Sequence, residues 1–224
     1  MEMQLCALAS NWNGALPDGG AMLETKIDGW RALRFRGIDG VTRLWSRNGQ
    51  PLKGAAHIAY RLDQMEQAAG EPWFFDGEVQ VGGTLAATKA WFESGWKLGG
   101  EAGVYHLFDG MPLAQWRAGG SDAPLYERKK LLKALWDAVE TDPALSWEWR
   151  PGSRGRDEGA IAVQMVADEW VTSPADALDF ANRIWTRDGE GAMLKAADAP
   201  YRRTRSAAWQ KIKPGGPWWK GMRT

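Results

Sequence analysis

Cysteine is almost missing from this chain: Cys6 is the single one in 224 residues. One thiol cannot close an internal disulfide, and with only His57 and His106 beside it no zinc-ligand spacing exists. Cys6 therefore reads as a buried or idle thiol. Net charge is missing too, since 28 basic side chains balance 28 acidic ones. No apolar run approaches the length of a membrane span, and the start "MEMQLCALASNWNGALPDGG" lacks the basic-then-apolar layout of a signal peptide. These absences predict a soluble, cytoplasmic chain with no membrane partner. Repeats, low-complexity blocks and long linkers are lacking as well. What is present is a hydrophobic content of 44%, enough apolar surface for a sizeable core.

The zero net charge hides an uneven spread. From Lys195 to Thr224 eight basic residues face one acid, Asp198, so this end carries +7 and the remainder −7. A basic end on an acidic body suits phosphate contacts at one surface, although a solvated tail would have the same composition. Most of the 15 tryptophans, including Trp12, Trp30, Trp45, Trp73, Trp91 and Trp96, read as packing groups. Trp218 and Trp219, beside Lys220 in the basic tail, are candidates for stacking on bases, or for docking onto the chain itself.

Strand and helix patterns alternate without a regular period. "AMLETKI", "WRALRFRG" and "VTRLWS" predict successive strands, the last two joined by the turn "GIDGV". "AAHIAYRLDQMEQAAG" has helical spacing and a stop at Gly70. "PWFFDGEVQV" predicts a strand, "TLAATKAWFESG" a helix, "AGVYHLFDG" a strand and "YERKKLLKALWDAVE" an amphipathic helix. After the loop "RPGSRGRDEG" come "AIAVQMV" and "SPADALDFANRIWTRDG", the latter opening with Ser173 as N-cap and Pro174 at the first helical position. "EGAMLKA" and "AAWQKIK" close the chain as strands. This order predicts an α+β fold with largely antiparallel sheets flanked by helices, in a single domain over 1–224 with a basic tail at 214–224.

Several of these strands carry charges that a core would not tolerate. Glu24, Lys26 and Asp28 recur at period two, as do Asp76 and Glu78, and Lys211 and Lys213, while Glu190 and Lys195 bracket an apolar run. Each alone could be a solvated strand face. Together they would build a polar cleft for an anionic ligand and a divalent cation.

In order, six segments resemble the covalent nucleotidyltransferase family, which includes ATP-dependent DNA ligases, RNA ligases and mRNA capping enzymes. They are "KIDGWR" (Lys26 to Arg31), "SRNG" (Ser46 to Gly49), "FDGEV" (Phe75 to Val79), "YHLFDGMPL" (Tyr105 to Leu113), "EGAMLK" (Glu190 to Lys195) and "WQKIKP" (Trp209 to Pro214). Within the family, "SRNG" and "EGAMLKAADAPYRRTRSAAWQKIK" look most like the ligase domains of bacterial end-joining ligases and the small phage DNA ligases. The resemblance implies an ATP-grasp-like nucleotidyltransferase (adenylation) domain using ATP and Mg2+ on nicked duplex DNA.

The roles it implies fall on particular positions. Lys26 would attack the α-phosphate of ATP to give a lysyl-AMP phosphoramidate, with Asp28 of the same motif in the catalytic group. A free lysine is protonated at neutral pH, so this chemistry calls for surroundings that disfavour the ammonium. Glu24 would accept from the adenine amino group, Arg31 and Arg47 would hold ribose and phosphate oxygens, and Phe108 would stack on the base. Glu78 would contact ribose or metal, Glu190 would serve the metal, and Lys195 would join the nucleotide contacts. Lys211 and Lys213 would neutralise the transferring phosphate. Arg202, Arg203, Arg205 and Lys220 would meet nucleic acid. DNA ligases of this family usually continue into an OB-fold after the last lysine motif, whereas this chain stops eleven residues after Lys213. It is expected to be either a trimmed adenylation domain or a natural minimal form with no OB-fold present, and "GGPWWKGMRT" favours the second. An OB-fold domain acting in trans is a possible partner. The same lysine would also suit an RNA ligase or a capping-type guanylyltransferase, and a degenerate domain would only bind nucleotide or nick.

Overall fold

The computed structural model describes residues 4–94, 97, 102–141 and 162–216. Trp96, the loop at 150–159, residues 160–161 of "AIAVQMV", and the tail from 217 with Trp218, Trp219 and Lys220 lie outside the described residues. The strands are β1 (Leu8–Asn11), β2 (Ala21–Thr25), β3 (Trp30–Arg36), β4 (Thr42–Ser46), β5 (Pro51–Leu52), β6 (Trp73–Gln80) and β7 (Val104–Pro112). They continue as β8 (Gly120–Ser121), β9 (Val163–Met165), β10 (Asp168–Val171), β11 (Ala192–Ala196), β12 (Tyr201–Arg202) and β13 (Arg205–Ile212). The helices are α1 (Ala56–Ala69), α2 (Leu85–Glu93), α3 (Leu113–Arg117), α4 (Leu125–Thr141) and α5 (Pro174–Trp185). This is a mixed α+β architecture, and among the described residues all strand pairs are antiparallel except β1 with β13 and β7 with β9.

The chain divides into two compact units, the first Met1–Asp28, Ala118–Arg128 and Val166–Thr224, the second Gly29–Arg117 and Lys129–Met165. In the first unit five strands lie in the order β1-β13-β11-β2-β10. Alternation sends Ala21 and Leu23 of β2, Ala192 and Leu194 of β11 and Ile212 of β13 to one face, where they form a buried cluster with Ala177 and Ala181 of α5. Those two alanines, one turn apart, let the helix lie close to the sheet. Each fully buried Leu or Ile in such a layer contributes about 1.5–3 kcal/mol. The N-terminus of α5 is fixed as its sequence predicts: Ser173 Oγ accepts from the Asp176 amide at 3.2 Å, and Pro174 stands at the first helical position. The opposite face carries Asn11, Lys211, Met193, Glu24 and Asp168 in one cross-strand row, and Trp209, Lys195, Met22 and Trp170 in the next.

In the second unit six strands lie in the order β5-β4-β3-β6-β7-β9. One face packs Ala32, Phe75, Val79, Tyr105 and Leu107 against Ile58, Leu62 and Met65 of α1, Trp91 of α2, and Leu132 and Val139 of α4. Gly70 ends α1 in the left-handed region at φ 70°. Arg34 is wholly buried on this face, bonded to Asp63 and Glu66 of α1. The other face holds an aromatic group, Phe35, Phe74 and Trp116 with Trp45 stacked on Phe35 at 5.3 Å, and beyond it a polar set. Tryptophans 12, 73 and 91 are buried, in line with their reading as packing groups.

One pattern needs correction. The period-two spacing puts Glu24, Lys26 and Asp28 on a single strand face, but β2 ends at Thr25 and the other two residues lie in the loop that follows. The short elements β1, β5, β8, β10, β12 and α3 have no counterpart among the sequence expectations, being two to five residues long.

Candidate active site

In the first unit the site begins where three neighbouring strands end together. Thr25 pairs with Ala192 and Ala192 with Ile212, and one step further the Lys26 amide donates to the Gly191 carbonyl at 2.9 Å. Gly191 has φ 137°, and a Cβ there would strike the Ile212 carbonyl oxygen, so only glycine lets the strands meet at this point. Lys26, Glu190 and Lys213 are thereby brought together. Lys26 Nζ donates to Glu190 Oε2 at 2.5 Å, and Lys213 Nζ donates to Glu190 Oε1. The side chains of Lys26 and Glu190 are 19% and 22% exposed, open enough for a ligand to reach. Asp28, two residues on, is half-buried.

The electrostatics of this group are unequal. Burial alone would raise the Glu190 carboxyl, but hydrogen bonds from Lys213 and Lys26 outweigh it and hold the pKa below its ordinary value. Lys211 is pushed down, first by burial and then by the charges of Lys213, Arg205 and Lys26. Three lysines and an arginine thus crowd about one carboxylate, an excess of positive charge that suits a polyanion.

Glu24 and Lys195 form a separate, buried pair. They are 2% and 1% exposed with Lys195 Nζ 2.7 Å from Glu24 Oε2, and the ammonium also sits 4.1 Å from the centroid of the Trp209 ring. Of the residues expected to meet nucleic acid, Arg202 bonds Asp122 and the Ser121 carbonyl, Arg205 bonds the Ala9 carbonyl, and Arg203 is half-buried. The basic end is therefore partly committed within its own unit, and Lys220 lies outside the described residues.

The second unit carries its own group. Arg31 stands opposite Glu78 across β3 and β6, and Glu78 opposite His106 across β6 and β7. Arg31 reaches diagonally to Asp76, Nε to Oδ1 at 2.5 Å and Nη2 to Oδ2 at 2.6 Å. Pairing of β6 with β7 shifts between Asp76 and Gly77, which leaves Phe108 as the extra residue of a bulge. That residue is 8% exposed and has the Arg31 guanidinium 4.7 Å from its ring centroid. Burial lowers the pKa of His106. Arg47 is exposed in the turn Ser46 to Gly49, where the Gly49 amide donates to the Ser46 carbonyl at 2.9 Å.

Sequence reasoning left Asp76 and His106 without roles. Pairing Arg31 against Glu78 would have placed Asp76 beside the arginine, and pairing Glu78 against His106 would have placed the histidine beside the glutamate, but neither register is visible in a single sequence. Among the described residues no group of three or more His, Cys, Asp or Glu could hold a metal ion. The donors fit a magnesium that arrives with phosphates and takes one or two carboxylates from the protein, rather than a protein cage.

The first unit thus holds lysines and a carboxylate at converging strand ends, and the second a forked arginine beside a glutamate, the residue types that a nucleotidyl-transferring domain uses. The family model for the ATP-dependent DNA ligase domain matches residues 3–213, and the chain belongs to that family. No curated protein matches the chain in sequence. Among solved structures, Pmar-Lig_Pre aligns with a TM-score of 0.75 at 22% identity, covering 96% of this chain and 47% of its own. The ATP-dependent DNA ligase of bacteriophage T7 in complex with ATP aligns at 0.71 and 15%, covering 94% and 69%. The mycobacterial DNA ligase D complexed with ATP and MES aligns at 0.57 and 20%, covering 94% and 60%. At these identities the likeness is one of fold. The chain spans about half the length of Pmar-Lig_Pre.

Proposed function

We propose that this chain is the adenylation core of an ATP-dependent DNA ligase, with Lys26 as its nucleophile. The observation that carries the reading is the Lys26–Glu190–Lys213 cluster, in which the motif lysine meets a carboxylate and a second cation where three strands end. Lys26 Nζ leaves its hydrogen bond with Glu190, gives up a proton to solvent water and forms a bond to the α-phosphorus of ATP. The bond from that phosphorus to the bridging oxygen breaks, and pyrophosphate departs. Lys211 and Lys213 offset the charge that builds on the phosphate oxygens. The AMP then passes to the 5′-phosphate of a nick, and attack by the 3′-hydroxyl joins the strand and releases AMP.

Arg31 and Arg47 hold ribose and phosphate oxygens, Phe108 contacts the base, and Asp28 belongs to the catalytic group. Glu24 accepts from the adenine amine, with Lys195 as its buried counter-charge. Glu78 and Glu190 are the carboxylates assigned to magnesium, which supplies charge neutralisation for the triphosphate when bound. The reading includes an ATP-grasp-like arrangement, one functional domain over both units, phosphate contacts by Arg202, Arg203, Arg205 and Lys220, and nick joining by residues 1–224 with or without an OB-fold in trans.

Intact-mass measurement after incubation with ATP and magnesium should show an AMP adduct that Lys26→Ala abolishes. A surviving adduct in that variant would place the nucleophile elsewhere. ATP should outperform GTP, because guanine presents a carbonyl where Glu24 needs a donor. Equal adduct yields with GTP would move the assignment to a capping-type guanylyltransferase.

A further inference from the structure

We infer that Asp76 is a positioning residue for nucleotide binding, acting through Arg31. The inference rests on the reading of Arg31 as a nucleotide contact. Asp76 is wholly buried in the middle of β6, and its carboxylate grips the Nε–Nη2 edge of Arg31 in a two-point fork. A fork of this kind fixes both the direction and the plane of a guanidinium. The Phe108 ring, delivered by the bulge next to Asp76, lies 4.7 Å from the guanidinium carbon and restrains motion out of that plane. Two restraints of different direction leave Arg31 one orientation.

Stability alone would not call for this arrangement. A buried ion pair is often matched or bettered by apolar residues of the same volume, as the aromatic group on the same sheet face shows can be built there. What the fork provides is an arginine already ordered before the ligand arrives, so that less side-chain freedom is lost on binding. Both oxygens of the buried Asp76 carboxylate are engaged by Arg31, so its effect travels through Arg31.

The test follows the rate of lysyl-AMP formation against ATP concentration for Arg31→Ala, Asp76→Asn, the double variant and Arg31→Lys. Arg31→Ala should raise the apparent KM for ATP on the order of ten- to a hundredfold. Asp76→Asn should raise the same constant with a smaller change in limiting rate, and the double variant should be no worse than Arg31→Ala. Arg31→Lys keeps a cation for Asp76 but loses the fork, so it should fold and still show the raised KM, which answers the question even where Asp76→Asn does not fold. A second readout is thermal: Arg31→Ala strands a buried carboxylate and should melt below the double variant. A wild-type KM in Asp76→Asn or Arg31→Lys, or single effects that multiply in the double variant, would overturn the inference. A wild-type KM in Arg31→Ala would instead remove Arg31 from the nucleotide site, and the inference with it.

Discussion

Glu190 is shared by two lysines, and its hydrogen bonds make it a stability element as well as a candidate catalytic one. Its carboxyl is depressed below the ordinary 4.5, so the stability it contributes is fully present above that value and is lost as pH falls through the folded value. Glu190→Gln should flatten the dependence of melting temperature on pH below about 4.5, a direction set by the sign of the shift. An acid limb of unchanged slope in the variant would show that other carboxylates govern it. The Glu24–Lys195 pair behaves differently because water hardly reaches it. Lys195→Met should cost about 3–5 kcal/mol in urea unfolding by leaving the Glu24 carboxylate without its ammonium. Glu24→Gln in that background should recover part of the loss, and a double variant as unstable as Lys195→Met would contradict the account.

Two strands depend on glycines that look interchangeable in the sequence and are not. A Cβ on Gly29 would strike the Val79 carbonyl oxygen, and one on Gly77 would strike the Tyr105 ring, whose hydroxyl donates to the Ala32 carbonyl at 3.0 Å. Both glycines follow an aspartate, Asp28 and Asp76, and each gives room for a neighbouring strand or ring to close over it. Gly77→Ala should therefore destabilise the protein by about 1–3 kcal/mol through overpacking, whereas an alanine at Gly110, 3.0 Å from a flexible Leu132 methyl, should cost less. Equal unfolding midpoints for the two variants would refute the steric reading. At this scale the sequence is legible where a local rule suffices: the Ser173–Pro174 start, the Gly70 stop and the strands on either side of Gly40 are where pattern and turn chemistry put them. It is illegible where geometry depends on a distant partner. The bulge that carries Phe108, the fork from Arg31 to Asp76 and the parallel pairing of β1 with β13 all rest on registers between segments far apart in sequence. The end of β2 at Thr25 was hidden for a related reason, because charge alternation continues through Lys26 and Asp28 after the hydrogen-bonded strand has stopped.

For the whole molecule, charge decides how DNA would be held. The count of +7 from Lys195 onward overstates the charge on offer, since Lys195 is buried and Lys213, Arg202 and Arg205 have acceptors within their own unit. Binding to a nicked duplex should fall as salt rises, and replacing Arg202, Arg203 and Arg205 together should both weaken it and reduce the logarithmic salt slope by about 0.9 for each phosphate no longer neutralised. A variant with the wild-type slope would place the DNA-binding surface elsewhere. Synthesis adds a different constraint. The chain passes from one unit to the other four times, and the second unit is complete in sequence at Met165, while Lys26 must wait for Glu190, 164 residues later, and then for Lys213. On a ribosome adding about 5–20 residues per second, that wait lasts on the order of ten seconds or more, during which Lys26 exists but its partners do not. A nascent chain that stops short of α5 thus carries an intact lysine motif with neither Glu190 nor Lys213 beside it, so that the charge cluster is assembled by the last strands to be made in the first unit rather than by the motif itself.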